Sequence, residues 1–143
     1  AKGMVQQCKE NAALCGLSDA PIRYIVDDCK KFVEREIRRE NFYDAVIMDP
    51  PSYGRGPSGE VWKLEENIDD LVALTAKVLS DKPLFFLVNS YTTGLSPSAM
   101  GYLLNLHLRK KYGGRVESDE IGIPVKMTNA VLPCGSSSRW TAC

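Results

Sequence analysis

The sequence is poor in the residues and patterns that would announce a function early. It has one histidine, His107, and its five cysteines (Cys8, Cys15, Cys29, Cys134 and Cys143) form no CxxC pair. Zinc sites gather several His or Cys ligands at close spacing, so no metal centre is expected. No GxxxxGK[ST] occurs, and the glycines at 54, 56 and 59, although spaced as GxGxxG, follow a Pro-Pro turn rather than leading directly from a strand into a helix, so neither a P-loop nor a dinucleotide fingerprint is read here. A GxSxG nucleophile elbow is missing as well. No apolar run approaches the roughly 20 residues of a membrane helix, and no membrane partner is expected. Charge of one sign is lacking too: 18 basic and 18 acidic residues cancel. Composition therefore does not point to nucleic acid as a strongly basic domain would, although a local patch stays open. The opening AKGMVQQCKENAAL is polar, without the apolar centre of a secretory signal. Together with the odd cysteine count, this predicts reduced thiols and a cytoplasmic location.

What is present suits an ordinary globular domain. The 143 residues are 44% hydrophobic and 25% charged, enough for one domain with a real core. Helix formers from Gly3 to Leu14, with Gly16 as a stop, predict a first helix. The run Ile22 to Val26 is β-branched and predicts a strand, followed by Asp27 and Asp28. Asp28 can cap a helix from Cys29 to about Glu40, with Phe32, Val33 and Ile37 on one face and a Glu34–Arg38 pair outside. Tyr43 to Asp49 predicts a strand whose apolar centre, Ala45 to Met48, is covered on both faces. A Pro/Gly-rich loop follows. The next helix carries a stripe of Ile68, Leu71, Val72, Thr75, Val78 and Leu79. Pro83 to Val88 predicts a third buried strand, Ser98 to Tyr112 a helix ended by Gly113 and Gly114, and the tail two strands around Met127–Thr128–Asn129. The alternation predicts an open α/β sheet, mostly parallel, with an antiparallel C-terminal strand pair. The chain also opens without Met and directly in a helix, which leads us to expect a piece of a longer protein.

Ligands of open α/β sheets sit beyond the C-terminal ends of the strands, and two such ends are chemically suggestive. At Asp27–Asp28, an acid can accept from an exocyclic amine or a ribose hydroxyl, or Asp28 can simply cap the helix. At Asp49–Pro50–Pro51–Ser52–Tyr53, two prolines fix φ and remove two donors. That leaves Asp49 and nearby carbonyls as acceptors beside a ring, Tyr53, an arrangement suited to a planar base bearing an amino group. A plain Pro-rich turn is the other reading. Glycines 54, 56 and 59 suggest flexibility over a site rather than phosphate binding, with Arg55 solvated. His107, amid leucines, reads as structural, and Cys134 reads as an ordinary loop cysteine.

The strings DAPIRYIVDDCKKFVEREIRRE and YDAVIMDPPSYGRGPSGEVWKLEENI, with LPCGSSSRW near the end, resemble the bacterial RlmI/RlmK-like class I S-adenosylmethionine (SAM)-dependent methyltransferases, a group associated mostly with ribosomal RNA. The resemblance covers essentially the whole chain, read as residues 1–143 of a partial catalytic domain. It implies a Rossmann-like sheet of strand order 3-2-1-4-5-7-6 lacking its first two strands, with the glycine-rich cofactor loop upstream. It also implies that Asp28 and Cys29 meet the adenine end of SAM and that Asp49, Pro50, Pro51 and Tyr53 hold the target base near the methyl. Asp49 would serve both sites. Relatives that methylate C5 of cytosine use a cysteine after the fifth strand, whereas this chain reads Asn-Ser-Tyr-Thr-Thr-Gly at 89–94. Methylation at nitrogen of an RNA base, which the resemblance implies to be ribosomal, is therefore expected over C5. The isolated piece is expected to be inactive and to self-associate through unpaired strand edges. A noncatalytic RNA-binding module, a small-molecule methyltransferase and a nucleotide-binding oxidoreductase on a similar sheet are the competing readings.

Overall fold

The computed structural model describes residues 2–56 and 59–143. Helix α1 (Lys2–Leu14) ends where expected. Gly16 takes φ +72°, and Leu17 N–H returns to Ala12 O at 2.8 Å, closing the helix with the left-handed residue that glycine adopts without strain. Helix α2 (Cys29–Arg38) starts at its predicted cap: Asp28 Oδ1 accepts from Lys31 N at 2.9 Å. Next come strand β1 (Ala45–Met48), the short strands β2 (Tyr53–Arg55) and β3 (Val61–Lys63), helix α3 (Leu64–Thr75) and strand β4 (Phe85–Ser90). Helix α4 (Pro97–Leu104) runs on through a wider turn at Asn105–Arg109 and a last turn at Lys110–Tyr112. Gly113 and Gly114 then end it with φ +68° and +76°. Strands β5 (Arg115–Val125) and β6 (Ala130–Thr141) form the expected C-terminal hairpin.

The main sheet has the order β1-β4-β6-β5. β1 and β4 are parallel, whereas β6 is antiparallel to both β4 and β5. This mixed α/β sheet is the 4-5-7-6 portion of the strand order expected from the resemblance. Register places Val46, Phe86, Trp140 and Val116 side by side on one face. There they meet Leu64, Ile68 and Val72 of α3 and Met100 and Leu104 of α4. The whole predicted α3 stripe, including the 3-10 turn that carries Val78, is buried.

Four local expectations are corrected. Ile22 to Val26 is not a strand: no strand of the described residues lies beside it, and a β-branched run without a partner forms no ladder. Its side chains at Ile22, Ile25 and Val26 stay exposed. β1 is not covered on both faces, because it is an edge strand and Ile47, pointing away from the core, is 68% exposed. The Glu34–Arg38 pair does not form among the described residues. Arg35 and Arg39 make the ion pairs of this helix instead, with Asp27 and Glu36. The Pro/Gly segment after β1 is not simply a flexible loop. It carries an antiparallel hairpin pairing Tyr53 with Lys63, Gly54 with Trp62 and Arg55 with Val61. Pro57 and Ser58 of the same segment lie outside the described residues.

Candidate functional site

The parallel pair β1–β4 points its C-terminal ends at the segment that begins with Asp49. Asp49 leaves the strand exposed, and its carboxylate makes no hydrogen bond or ion pair among the described residues. Pro50 and Pro51 follow with no N–H to offer. The chain then turns into β2, where Tyr53 is half in solvent and its hydroxyl accepts from Arg55 Nε at 2.8 Å. Arg55 is thus tied to the Tyr53 hydroxyl rather than merely solvated.

Two contacts stiffen this segment, and both come from residues that the sequence did not single out. Trp62 of β3 donates from Nε1 to Pro51 O at 2.7 Å, and Leu64 N–H donates to Ser52 O at 3.0 Å. From the β4 side, Thr92 Oγ1 donates to Ser52 Oγ at 2.8 Å. Trp62 stood in the quoted string Gly-Glu-Val-Trp. Its place in β3 opposite Gly54, visible only in the folded hairpin, is what brings its indole to Pro51.

The second suggestive position, Asp27–Asp28, follows no strand and lies at the start of α2. Asp28 does cap the helix, so the structural role considered for it is real, and its carboxylate remains exposed. Cys29 is exposed at the first helical position. Asp27 is more engaged than its neighbour: it pairs with Arg35 and accepts from Asp28 N–H at 2.8 Å. The Arg35 hydrogen bond, then the Asp28 amide, hold its carboxyl below the usual carboxylate range.

These two positions are brought together. Lys30, in the first turn of α2, lies 5.4 Å from the centroid of the Trp62 ring, and the same indole holds Pro51. Trp62 therefore joins the Asp28–Cys29 turn to the Asp49–Tyr53 segment. An exposed carboxylate at a helix start, a second one after β1 and a ring beside it can together accept hydrogen bonds from amines and hydroxyls of a ligand lying across both. His107 stays outside this arrangement, its Nε2 2.5 Å from Asp69 Oδ1, tying α4 to α3. Cys134, half-buried, donates to Ile121 O at 3.3 Å. All five cysteines are free. Among the described residues no group of three or more His, Cys, Asp or Glu could hold a metal ion, and no helix is long and apolar enough to cross a membrane.

No protein-family model and no curated protein matches the chain. Solved structures do. The SAM-dependent methyltransferase from Agrobacterium tumefaciens shares 36% identity over 99% of this chain, with a TM-score of 0.87. The chain spans 46% of that protein. A protein named as a methyltransferase and solved with SAH shares 17% identity over 81% of this chain and 30% of its own, with a TM-score of 0.53. A Streptococcus mutans protein named as a SAM-dependent methyltransferase shares 16% identity over the same shares, 81% and 30%, with a TM-score of 0.54. Likeness at those lower identities shows the fold alone. The structural neighbours of this chain are thus SAM-dependent methyltransferases, and its fold is the corresponding part of theirs.

Proposed function

We propose that residues 1–143 form part of the catalytic domain of a SAM-dependent methyltransferase acting on a base of RNA, ribosomal in the first instance, at nitrogen. The observation that carries this reading is Asp49: an exposed carboxylate without a partner among the described residues, at the C-terminal end of a parallel strand, in a segment clamped by Trp62. The residues present fit SAM at the neighbouring turn, where Asp28 offers an exposed carboxylate and Cys29 the first-turn backbone of α2. When bound, SAM supplies an electrophilic methyl on a positively charged sulfur, which keeps the C–S electron pair as the acceptor nitrogen bonds to the methyl.

The chain's own residues do the positioning. Asp49 accepts a hydrogen bond from the acceptor amine and turns its lone pair toward the methyl, and it takes up proton density as the nitrogen becomes cationic. Pro50 and Pro51 hold that carboxylate in a fixed frame, and Tyr53 offers a ring face to the base. Lone-pair attack of this kind needs alignment more than a strong base. Nitrogen is favoured over C5 of cytosine because residues 89–94 carry no cysteine to form a covalent adduct. A ribosomal RNA target and a cytoplasmic setting rest on the sequence resemblance.

Calorimetric titration of SAM into this chain, and into a longer form carrying the upstream segment that the resemblance implies, tests the reading. Binding by the longer form is expected, with Asp28→Ala weakening it about tenfold, the scale of one hydrogen bond to a charged group. Asp49→Ala should abolish methyl transfer from labelled SAM to RNA. Failure of the intact longer form to bind SAM would overturn the reading and leave a noncatalytic module on this fold.

A further inference from the structure

A cleft of about 480 Å³ opens at the C-terminal end of β4, between the segment 90–97, Glu120 of β5 and residues 133–136 of β6. Thr92, on its wall, is the residue that bonds to Ser52, so the cleft adjoins the Asp49 segment. One part of it is built tightly. A Cβ on Gly135 would stand 2.6 Å from Ser90 O and 2.6 Å from the Tyr91 ring. The ring therefore rests on bare backbone, and at 51% exposure it still offers surface to a ligand.

The electrostatics narrow the occupant. Among the described residues no lysine, arginine or histidine lines the cleft. Helix α4 starts at its wall but offers few donors: Pro97 has no N–H, and Ser96 Oγ takes Ala99 N–H at 3.2 Å. A phosphate or carboxylate would find no cation there. Among the described residues the one charged side chain lining it is Glu120, whose carboxylate makes no hydrogen bond or ion pair with the others. An acceptor without a partner beside an exposed ring suits a flat, uncharged ligand that carries a donor.

We infer that this cleft seats the base next to the acceptor in the RNA and selects one bearing an exocyclic amino group, with Glu120 accepting from the amine and Tyr91 covering one face of the ring. The inference rests on the methyltransferase reading for its role, but not for its chemistry. Base-on-aromatic stacking tolerates any base, so discrimination falls to Glu120.

The test is a titration of ¹⁵N-labelled chain with cytidine, adenosine, uridine and n-butylamine. It follows the amides of Thr92, Gly94 and Gly135, with Val72 as a remote reference. The better of cytidine and adenosine should shift the three cleft amides and leave Val72 still. Uridine, which lacks the amine, should bind about tenfold more weakly, the scale of one hydrogen bond to a charged acceptor. Glu120→Gln should shrink that preference, whereas Tyr91→Leu should weaken all three nucleosides alike. Unmoved cleft amides, equal affinity for uridine, or n-butylamine shifting the same amides at the same concentration would each overturn the inference. SAM binding by the longer form separates the two readings. Cofactor binding with a silent cleft sinks only this inference, and a responsive cleft without cofactor binding sinks only the methyltransferase reading.

Discussion

Residues 2–26 and residues 43–141 both carry apolar side chains, but they use them in opposite ways. Every fully buried side chain except Glu36 lies from Leu64 onward, in α3, α4 and the strands they cover. In the first region α1 has no buried residue, and Met4, Leu14, Leu17, Ile22, Ile25 and Val26 are exposed. The difference is one of neighbours rather than of composition. A strand is held by the strand beside it and a helix by the face it covers. β1 to β6 and α3 to α4 have both kinds of neighbour, whereas α1 and the run from Ile22 to Val26 have neither among the described residues. Stability should therefore be concentrated in the second region.

The largest expected effect comes from removing a side chain at the centre of that region. Trp140 on β6 is 0% exposed, its Nε1 donates to Gly113 O at 2.8 Å, and its ring sits 5.7 Å from that of Tyr112. Trp140→Ala should cost about 3–5 kcal/mol, from lost burial and an unfilled cavity. Urea unfolding followed by far-UV circular dichroism would show it as a lower midpoint for the loss of sheet. An unchanged midpoint would mean that the buried face of the sheet does not dominate stability.

Helix α2 stands between the two regions, and its link to the second one titrates. Glu36, 1% exposed, accepts from the Tyr43 hydroxyl, from Asn41 Nδ2 at 3.1 Å and from Arg39 at 3.4 Å. Tyr43 in turn bridges to Leu79. Chiefly through the Tyr43 hydrogen bond, the Glu36 carboxyl is held below its ordinary value of 4.5, and the same bond raises the Tyr43 phenol. A depressed carboxyl stabilises the fold above its unfolded pKa, and that contribution fades as pH falls through the folded value. Stability should thus decline below about pH 4.5, and Glu36→Gln should flatten that part of the acid limb in a series of urea titrations. An acid limb of the same slope in the variant would assign the decline to other carboxylates.

How much of this was legible in the sequence follows the same division. The α3 stripe, the Asp28 cap, the Gly113–Gly114 stop and the C-terminal hairpin were all readable, because periodicity and capping are local properties. Ile22 to Val26 and Ile47 were misread because a β-branched run specifies the ability to pair, not the presence of a partner. In the candidate site, Asp28 could be named from its capping position, and Asp49 and Tyr53 from their place after an apolar strand. What they do for a ligand is a proposal that awaits the cofactor titration. Trp62, Lys30, Thr92 and Ser52, which lace the site together, could not be named in advance. Their contacts cross a hairpin and a sheet, and no local spacing encodes a contact of that kind.

The smallest expected effect is the sharpest check on the contrast. Lys9 lies in the interior of α1, exposed and with no ion pair or side-chain hydrogen bond among the described residues. Lys9→Gly removes a good helix former and costs about 0.5–1 kcal/mol of local helix stability. If α1 is held only by its own backbone, that loss stays local. The amides of residues 6–13 should exchange faster with solvent, while the main urea transition keeps its midpoint and slope. If α1 instead packs against the sheet in solution, for example over Ile47, the same substitution should move the global midpoint. A 13-residue helix is near the length at which isolated helices become marginal in water, so even a small local cost should be readable in exchange rates. An exchange pattern in α1 as slow as that of α3 would mean that the two regions fold as one unit.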